Sequence, residues 1–167
     1  RACHAARPRA RCRAACAPGG GGVVYRSGGA RLVGSSGRVV AVDVQPRMLA
    51  GLRRRAEKAG LAATVEARLA RDEDLGVADL AGRVDLVLAL WVVHEMPHQA
   101  RFFEQARRAL KPGGRVLVGE PRGHVREADF AESLRLAGAA GGGRSGTPPG
   151  PGGRAGRPAA AWRARTP

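Results

Sequence analysis

The middle of the chain alternates between short apolar runs and stretches with apolar residues at helical spacing. Val39–Val42 and Val84–Leu90 are continuous apolar runs, interrupted only by Asp85 in the second. Runs of this kind are typical of strands that are buried on both faces of a sheet. Ala62–Ala67 and Val116–Val118 are shorter and weaker. We predict a strand at each of these four places.

Three segments between and after these strands have the spacing of amphipathic helices. The first begins at Pro46, since proline is favoured in a first turn, and ends at Gly60, which suits a helix C-terminus. The second opens near Pro97 and is stopped by Lys111–Gly114, because proline cannot continue a helix and glycine permits a tight turn. The third runs from about Glu127 to Ala137. The expected inward residues are Leu49, Leu52, Ala56 and Ala59 in the first, Phe102, Phe103, Ala106 and Leu110 in the second, and Phe130, Leu134 and Leu136 in the third.

The order of these elements predicts an α/β fold. Helices that connect buried strands form right-handed crossovers, and such crossovers make the strands parallel. We therefore predict a doubly wound, mainly parallel, Rossmann-like sheet. Ligands bind beyond the carboxyl ends of the strands in such sheets. This places Asp43, Leu90 with Trp91, and Glu120 along one rim, where Glu120 is either a site residue or a solvated loop acid.

Most of the charge lies outside this middle segment. Of a formal net charge of +15, residues 1–37 supply seven arginines and residues 142–167 supply five, with no acid in either range. Residues 38–141 hold 17 basic and 14 acidic residues. Gly, Pro, Ala and Arg dominate the flanks, which therefore cannot bury enough apolar surface to offset chain entropy. We predict disordered or degenerate flanks at residues 1–29 and 142–167 around a domain at residues 30–141.

Composition also argues against several kinds of partner. The cysteines, Cys3, Cys12 and Cys16, lie near His4, but no second ligand pair follows at zinc-finger spacing, so no metal site is expected. The flanks lack the aromatic and groove-reading motifs of specific nucleic-acid binders. No apolar stretch is long enough to span a bilayer. We expect reduced thiols and a cytoplasmic location.

Asp43 is the acid that ends the first apolar run, and it has two interpretations. An acid at the end of the second strand of a nucleotide-binding fold accepts hydrogen bonds from both ribose hydroxyls, and Val44 beside it would pack on the adenine face. Alternatively, Asp43 merely caps the helix that begins at Pro46. The position of the acid alone favours ribose binding only slightly.

Two stretches together resemble class I S-adenosylmethionine-dependent methyltransferases. They are GRVVAVDVQPRMLAGLRRRAEKAGL, residues 37–61, and RVDLVLALWVVHEMPHQARFFEQARRALKPGGRVLVGEP, residues 83–121. The second is the more specific, with an apolar strand, a His-containing loop, a helix, Leu-Lys-Pro-Gly-Gly and a strand that ends in Glu. The resemblance covers about residues 30–140. It implies S-adenosylmethionine as cofactor and methyl transfer as activity.

The resemblance also implies roles for individual residues. Asp43 would hold the ribose. Asp72, in the loop RDEDL, would contact the adenine amine, and Leu90 with Trp91 would border the methionine part. In this family the first strand ends in an acid followed by Gly-x-Gly-x-Gly. Counting back from Asp43 places Gly19 and Gly21 at two of these glycines, but no apolar strand precedes them and Val23 stands at the third.

His94 and Glu95 are the candidates on the substrate side. Methyl transfer often needs only in-line positioning of the reacting groups, so His94 either faces the substrate or packs within its loop. His98 and His124 are expected at the surface, and no catalytic residue is assigned.

The preferred function is that of a methyltransferase acting on a small molecule. The alternative is a non-catalytic remnant, truncated or frameshifted, because neither the first strand nor the family's C-terminal edge strands are recognisable. On this hypothesis both flanks are out-of-frame readings of a GC-rich gene. A basic nucleic-acid-binding module is the least favoured interpretation. The sequence identifies neither the methyl acceptor nor the oligomeric state.

Overall fold

The structure, a computed structural model, describes residues 13–16, 33, 36–71, 73–120, 124–144 and 159–164. The strands are β1 (Arg13–Cys16), β2 (Arg38–Asp43), β3 (Val65–Leu69), β4 (Val84–Leu90), β5 (Leu110–Gly119), β6 (Gly142–Arg144) and β7 (Ala159–Ala164). The helices are α1 (Pro46–Lys58), α2 (Gln99–Ala109) and α3 (Glu127–Ala139), with 3₁₀ turns at Ala78–Leu80 and Val93–Glu95.

The described strands form one sheet in the order β3-β2-β1-β4-β5-β7-β6. β3, β2, β1, β4 and β5 run parallel, whereas β7 is antiparallel to both of its neighbours. From β1 the chain continues on one side to β2 and β3, and on the other side lie β4 and β5. The sheet therefore has a topological switch point between β1 and β4, the place where α/β sheets bind ligands.

The α/β class is confirmed, and the structure also has strands at the first-strand and C-terminal edge positions, where no strand is recognisable in the sequence. Ala14 in β1 pairs with Val39 of β2 and with Leu86 of β4. β7 extends the sheet beyond β5, where Val116 pairs with Trp162. The sequence RAAC has no apolar pattern. Without β1, the backbone N–H and C=O groups on the facing edges of β2 and β4 would lack partners. An extended segment between them supplies those hydrogen bonds whatever its side chains.

The elements of the middle segment are found where the pattern placed them, with shifted ends. α1 and α3 match the expected helices. β3 begins at Val65, three residues after the predicted start, because Leu61–Thr64 form a turn in which the Thr64 amide donates to the Leu61 carbonyl at 3.0 Å. α2 begins at Gln99 and ends at Ala109, so Leu110 is a buried strand residue and not a helical one. The limits of the domain at residues 30 and 141 stay predictions.

The sequence Lys-Pro-Gly-Gly lies in the irregular first part of β5, where the pairing with β4 shifts register. Gly113 has a φ of +74°, which L-residues with side chains rarely adopt. A Cβ on Gly114 would lie 2.9 Å from the Lys111 carbonyl oxygen and 3.1 Å from that of Val84. Lys111 Nζ then bonds both oxygens of Asp85 in β4, at 2.8 and 2.9 Å. This ion pair fixes the end of the β4–β5 pair that lies opposite the ligand-binding rim.

The main core lies between the sheet and two of the helices. It contains buried side chains from β2, β4, β5, α2 and α3, including Val40, Val87, Phe102, Val118 and Phe130. Most of the predicted inward residues of the three helices are buried, although Ala59, Leu134 and Leu136 are only partly so. The apolar runs are thus buried as expected, and the strands carry their end residues to a common rim.

A candidate cofactor-binding rim and acceptor cleft

Asp43 lies at the carboxyl end of β2 and is 4% exposed. Its Oδ1 accepts a hydrogen bond from the backbone N–H of Gln45 at 2.8 Å, which fixes the start of α1. Burial raises the pKa of Asp43, and hydrogen bonds from the backbone N–H groups of Gln45 and Val44 partly oppose the rise. Within the described residues no lysine, arginine or histidine forms an ion pair with it. The carboxylate therefore keeps acceptor capacity beyond its capping bond.

Three large apolar side chains are exposed in the part of the chain that the structure describes, and all three lie at this rim. Val44 is 37% exposed, Leu69 55% and Leu90 46%. They follow or end β2, β3 and β4, and Leu69 pairs directly with Asp43 across β2 and β3. Exposed apolar side chains around a buried acid are typical of a surface that a ligand covers.

Trp91 has a left-handed backbone. Its φ is +60°, the one positive φ of a residue other than glycine in the described segments. The Trp91 amide donates to the Gly119 carbonyl at 2.7 Å, which ties the end of β4 to the end of β5. A bulky residue in this region carries backbone strain, and such strain is concentrated at functional sites.

Glu120 is the second buried acid at the rim, immediately after β5, and it is 1% exposed. Oε1 accepts from the backbone N–H of His94 at 3.1 Å, and Oε2 lies 2.7 Å from His94 Nδ1. The expectation of a solvated loop acid is therefore wrong. Both oxygens are directed to a single residue, because burial of a carboxylate requires hydrogen-bond partners.

His94 lines a cleft of about 750 Å³ between the loop that follows β4, the start of α2 and α3. Its ring stacks edge-on against His124, with centroids 5.2 Å apart, and Nε2 lies 3.9 Å from Glu95 Oε1. His98 and His124 are exposed, as expected. His98 also pairs with Glu73 at 3.2 Å.

The loop that follows β3 is held by α2. The Gln105 side chain accepts from the Leu75 amide at 2.9 Å and donates to the Glu73 carbonyl at 2.8 Å. Arg101 pairs with the Glu73 carboxylate at 2.6 Å. Neither Gln105 nor Leu69 stands out in the sequence, since a polar residue on a helix and an apolar residue ending a strand are both common without any function.

Several predicted site residues lie outside the described residues. These are Asp72, Gly19 and Gly21, together with Cys3, Cys12 and His4 of the cysteine-rich segment. Within the part of the chain that is described, no three His, Cys, Asp or Glu side chains are grouped to hold a metal ion. No described helix is long and apolar enough to cross a membrane. The roles of the three cofactor-side residues stay predictions.

The sheet order and the rim agree with the comparisons to known proteins. A family model described as a methyltransferase domain matches residues 16–118. The chain belongs to the methyltransferase domain family. The match begins at Cys16, the last residue of β1, so it includes part of the flank that the sequence resemblance left out. The resemblance to class I methyltransferases is thereby confirmed.

The relatives share part of their length with this chain. An arsenite methyltransferase of Halobacterium salinarum is 35% identical over 107 residues, which are 64% of this chain and 26% of that protein. A ubiquinone/menaquinone biosynthesis C-methyltransferase of Klebsiella pneumoniae is 33% identical over 90 residues, 54% of this chain and 35% of that protein. The chain thus spans roughly a quarter to a third of the length of these curated relatives.

Solved structures share the fold of this domain. A SAM-dependent methyltransferase from Aquifex aeolicus superposes with a TM-score of 0.68 at 20% identity, covering 90% of this chain and 80% of that one. Geranyl diphosphate C-methyltransferase from Streptomyces coelicolor, crystallised with S-adenosyl-L-homocysteine, gives a TM-score of 0.61 at 19% identity, covering 80% and 56%. At these identities the likeness concerns the fold alone.

Proposed function

We propose that this chain is the S-adenosylmethionine-binding domain of a methyltransferase that acts on a small molecule. The observation that carries the proposal is the rim at Asp43: a buried carboxylate with spare acceptor capacity, surrounded by the exposed side chains of Val44, Leu69 and Leu90. S-adenosylmethionine supplies a methyl group on a positively charged sulfur.

The chemistry of the rim suits a nucleoside. Two carboxylate oxygens match the two hydroxyls of a ribose, and hydrogen bonds to an ionised acceptor are strong. Val44 and Leu69 offer apolar surface on either side of Asp43, which suits the faces of an adenine ring. Leu90 and Trp91, across β1 from Asp43, would border the methionine part. Asp72 is proposed for the adenine amine, and Gly19 and Gly21 for the backbone approach.

The cleft beside His94 is proposed to hold the methyl acceptor. Its volume of about 750 Å³ is within the range of roughly 300–1,000 Å³ that small-molecule sites occupy. The two relatives named above are called methyltransferases of arsenite and of ubiquinone/menaquinone biosynthesis, which supports a small acceptor over a macromolecule. His94 and Glu95 stay the substrate-side candidates. A cytoplasmic location also stays a prediction.

Calorimetric titration of the full chain with S-adenosylhomocysteine tests the proposal. We expect binding, and we expect Asp43→Ala to weaken it by about 1–3 kcal/mol, the usual loss for a hydrogen bond to a charged group. Glu57→Gln, an exposed change on α1, is the matched control and should bind like the parent. No binding by the parent would favour the non-catalytic remnant. Equal binding by Asp43→Ala would leave that residue only its capping role.

A further inference from the structure

Glu120 contacts His94 through both of its carboxylate oxygens, and this pairing indicates that the His94 imidazole has a function. Resting on the function proposed above, we propose that His94 accepts a proton from a small amine that the protein methylates. In this assignment Glu120 is a positioning residue, and Glu95 binds the amine. The acceptor class is thus a primary or secondary amine, and the site is the cleft at the start of α2.

Glu120 determines which ring nitrogen is available. Its Oε1 accepts from the His94 amide at 3.1 Å, which fixes the loop, and its Oε2 lies 2.7 Å from Nδ1, which fixes the ring. We assign the ring proton to Nδ1, because Glu120 can then accept from it as it accepts from the His94 amide. The lone pair of the neutral ring is then on Nε2. A buried acid that orients a histidine in this way is the usual arrangement behind a general base.

His94 Nε2 and Glu95 Oε1 are 3.9 Å apart, and this distance indicates which kind of ligand atom could bind between them. A ligand atom at an ordinary hydrogen-bond length of about 2.9 Å from both Nε2 and Oε1 would have an angle of roughly 85° between its two hydrogen bonds. Nitrogen with two or three hydrogens donates to both acceptors at once. A hydroxyl has one hydrogen and satisfies only one of them. The pair therefore favours an amine over an alcohol or phenol.

The charged side chains that line the cleft are already paired. Arg101 on α2 is bound to Glu73, and on α3 Asp129 is bound to Arg126 and Glu132 to Arg135. The cleft also holds His98 and His124, and His98 pairs with Glu73. Glu95 does not line the cleft itself but lies beside the cleft residue His94, and no described lysine or arginine pairs with it. It is the natural place for the positive charge of a bound ammonium.

The reaction balances with these groups. The bound ammonium gives one proton to His94 Nε2, which frees the lone pair on nitrogen. That lone pair forms the new bond to the methyl carbon of S-adenosylmethionine, and the bond from this carbon to sulfur breaks with its electron pair left on sulfur. The positive charge of the imidazolium faces the Glu120 carboxylate, which stabilises it. The products are an N-methylammonium, a thioether and a proton on His94 that returns to solvent.

The test uses the ¹⁵N-labelled full chain saturated with S-adenosylhomocysteine, with benzylamine and benzyl alcohol as matched probes. We expect the ring ¹⁵N resonances to show His94 protonated at Nδ1 with a bare Nε2. Benzylamine should shift the Nε2 resonance, whereas benzyl alcohol should not. Glu95→Gln should weaken benzylamine binding about tenfold or more, as the loss of a charge-assisted hydrogen bond implies. The exposed change Glu57→Gln should leave both readouts unchanged.

Turnover with benzylamine and S-adenosylmethionine separates the roles. His94→Gln should lower kcat about 100-fold, the usual range of general-base catalysis. Glu95→Gln should act mainly on KM. Glu120→Gln should reduce kcat about tenfold and populate the other tautomer. Equal shifts by both probes, a shift by neither, or a bare Nδ1 in the parent would overturn the inference. Cofactor binding, measured on the same samples, reports separately on the proposed function, and the tautomer of the parent needs no variant that must fold.

Discussion

Asp43 and Glu120 are two buried carboxylates at the same rim, yet their surroundings differ. Asp43 is the last residue of β2 and takes hydrogen bonds from backbone N–H groups only. Glu120 follows β5 and directs both oxygens to His94. Asp43 therefore keeps hydrogen-bond acceptor capacity for a ligand, whereas the oxygens of Glu120 are used within the protein. A buried charge alone therefore does not identify a binding residue; its unused acceptor capacity does.

The largest expected difference between the two acids concerns folding. Glu120→Ala leaves the partly buried His94 amide without its acceptor and opens a cavity, so the free energy of unfolding should fall by about 3 kcal/mol. Asp43→Ala loses one capping bond but also a desolvated charge, so its cost should stay below about 1 kcal/mol. Urea unfolding measures both. Glu120→Gln, which keeps an acceptor, should recover most of the loss; similar values for the two alanine variants would remove the distinction.

Binding of S-adenosylhomocysteine should rank the two acids in the opposite order. Asp43→Asn keeps the size and the capping oxygen but loses the charge, so it should cost about 1 kcal/mol, less than Asp43→Ala. Glu120→Gln should change the affinity by no more than about 0.3 kcal/mol, since Glu120 contacts His94 and not the ribose side of the rim. Calorimetry on the three variants decides. If Glu120→Gln lost more affinity than the Asp43 variants, the cofactor would bind at Glu120 and the proposed role of Asp43 would be wrong.

The fold could be predicted wherever the side chains carry the pattern. The apolar runs of β2 and β4 and the spacing in α1 to α3 require burial, and the structure places them accordingly. The three strands that the sequence missed, β1, β6 and β7, have few large apolar residues. They belong to the sheet through backbone pairing with neighbours that are distant in sequence, and a single sequence does not display such pairing.

The site divides in the same way. Asp43 could be singled out because its position at the end of a strand is visible in the sequence. The contact between His94 and Glu120 joins residues that are 26 positions apart, and only the pairing of Leu90 with Gly119 brings them together. Leu69 was missed because an apolar residue that ends a strand looks like core. Leu69 is exposed because β3 ends at the rim of the sheet, and the local sequence does not show where that rim lies.

A change at the opposite end of β4 and β5 tests whether the rim is independent of general stability. Lys111 bonds Asp85 where the side chains are 39% and 24% exposed. Solvent screens such a pair, so Lys111→Met should cost about 1 kcal/mol at most in the free energy of unfolding. Affinity for S-adenosylhomocysteine should stay at the parental value when it is measured under folding conditions. A matching loss of affinity would mean that the Asp43 variants act through stability alone.

The smallest effect concerns pH and Asp43 in the free protein. Burial raises the pKa of this carboxyl, while in the unfolded chain it is ordinary, about 4. Between these two values the folded protein binds more protons, so Asp43 makes the free energy of unfolding fall as the pH rises through the window. Asp43→Asn removes this dependence, and its stability relative to the parent should therefore increase from about pH 4 upward and then level off.

Saturating S-adenosylhomocysteine should reverse the trend in the parent, because ribose hydroxyls favour the ionised carboxylate. Urea unfolding across this pH range, with and without ligand, measures both curves; a parental curve parallel to that of Asp43→Asn would show that the acid titrates alike in the folded and unfolded chain.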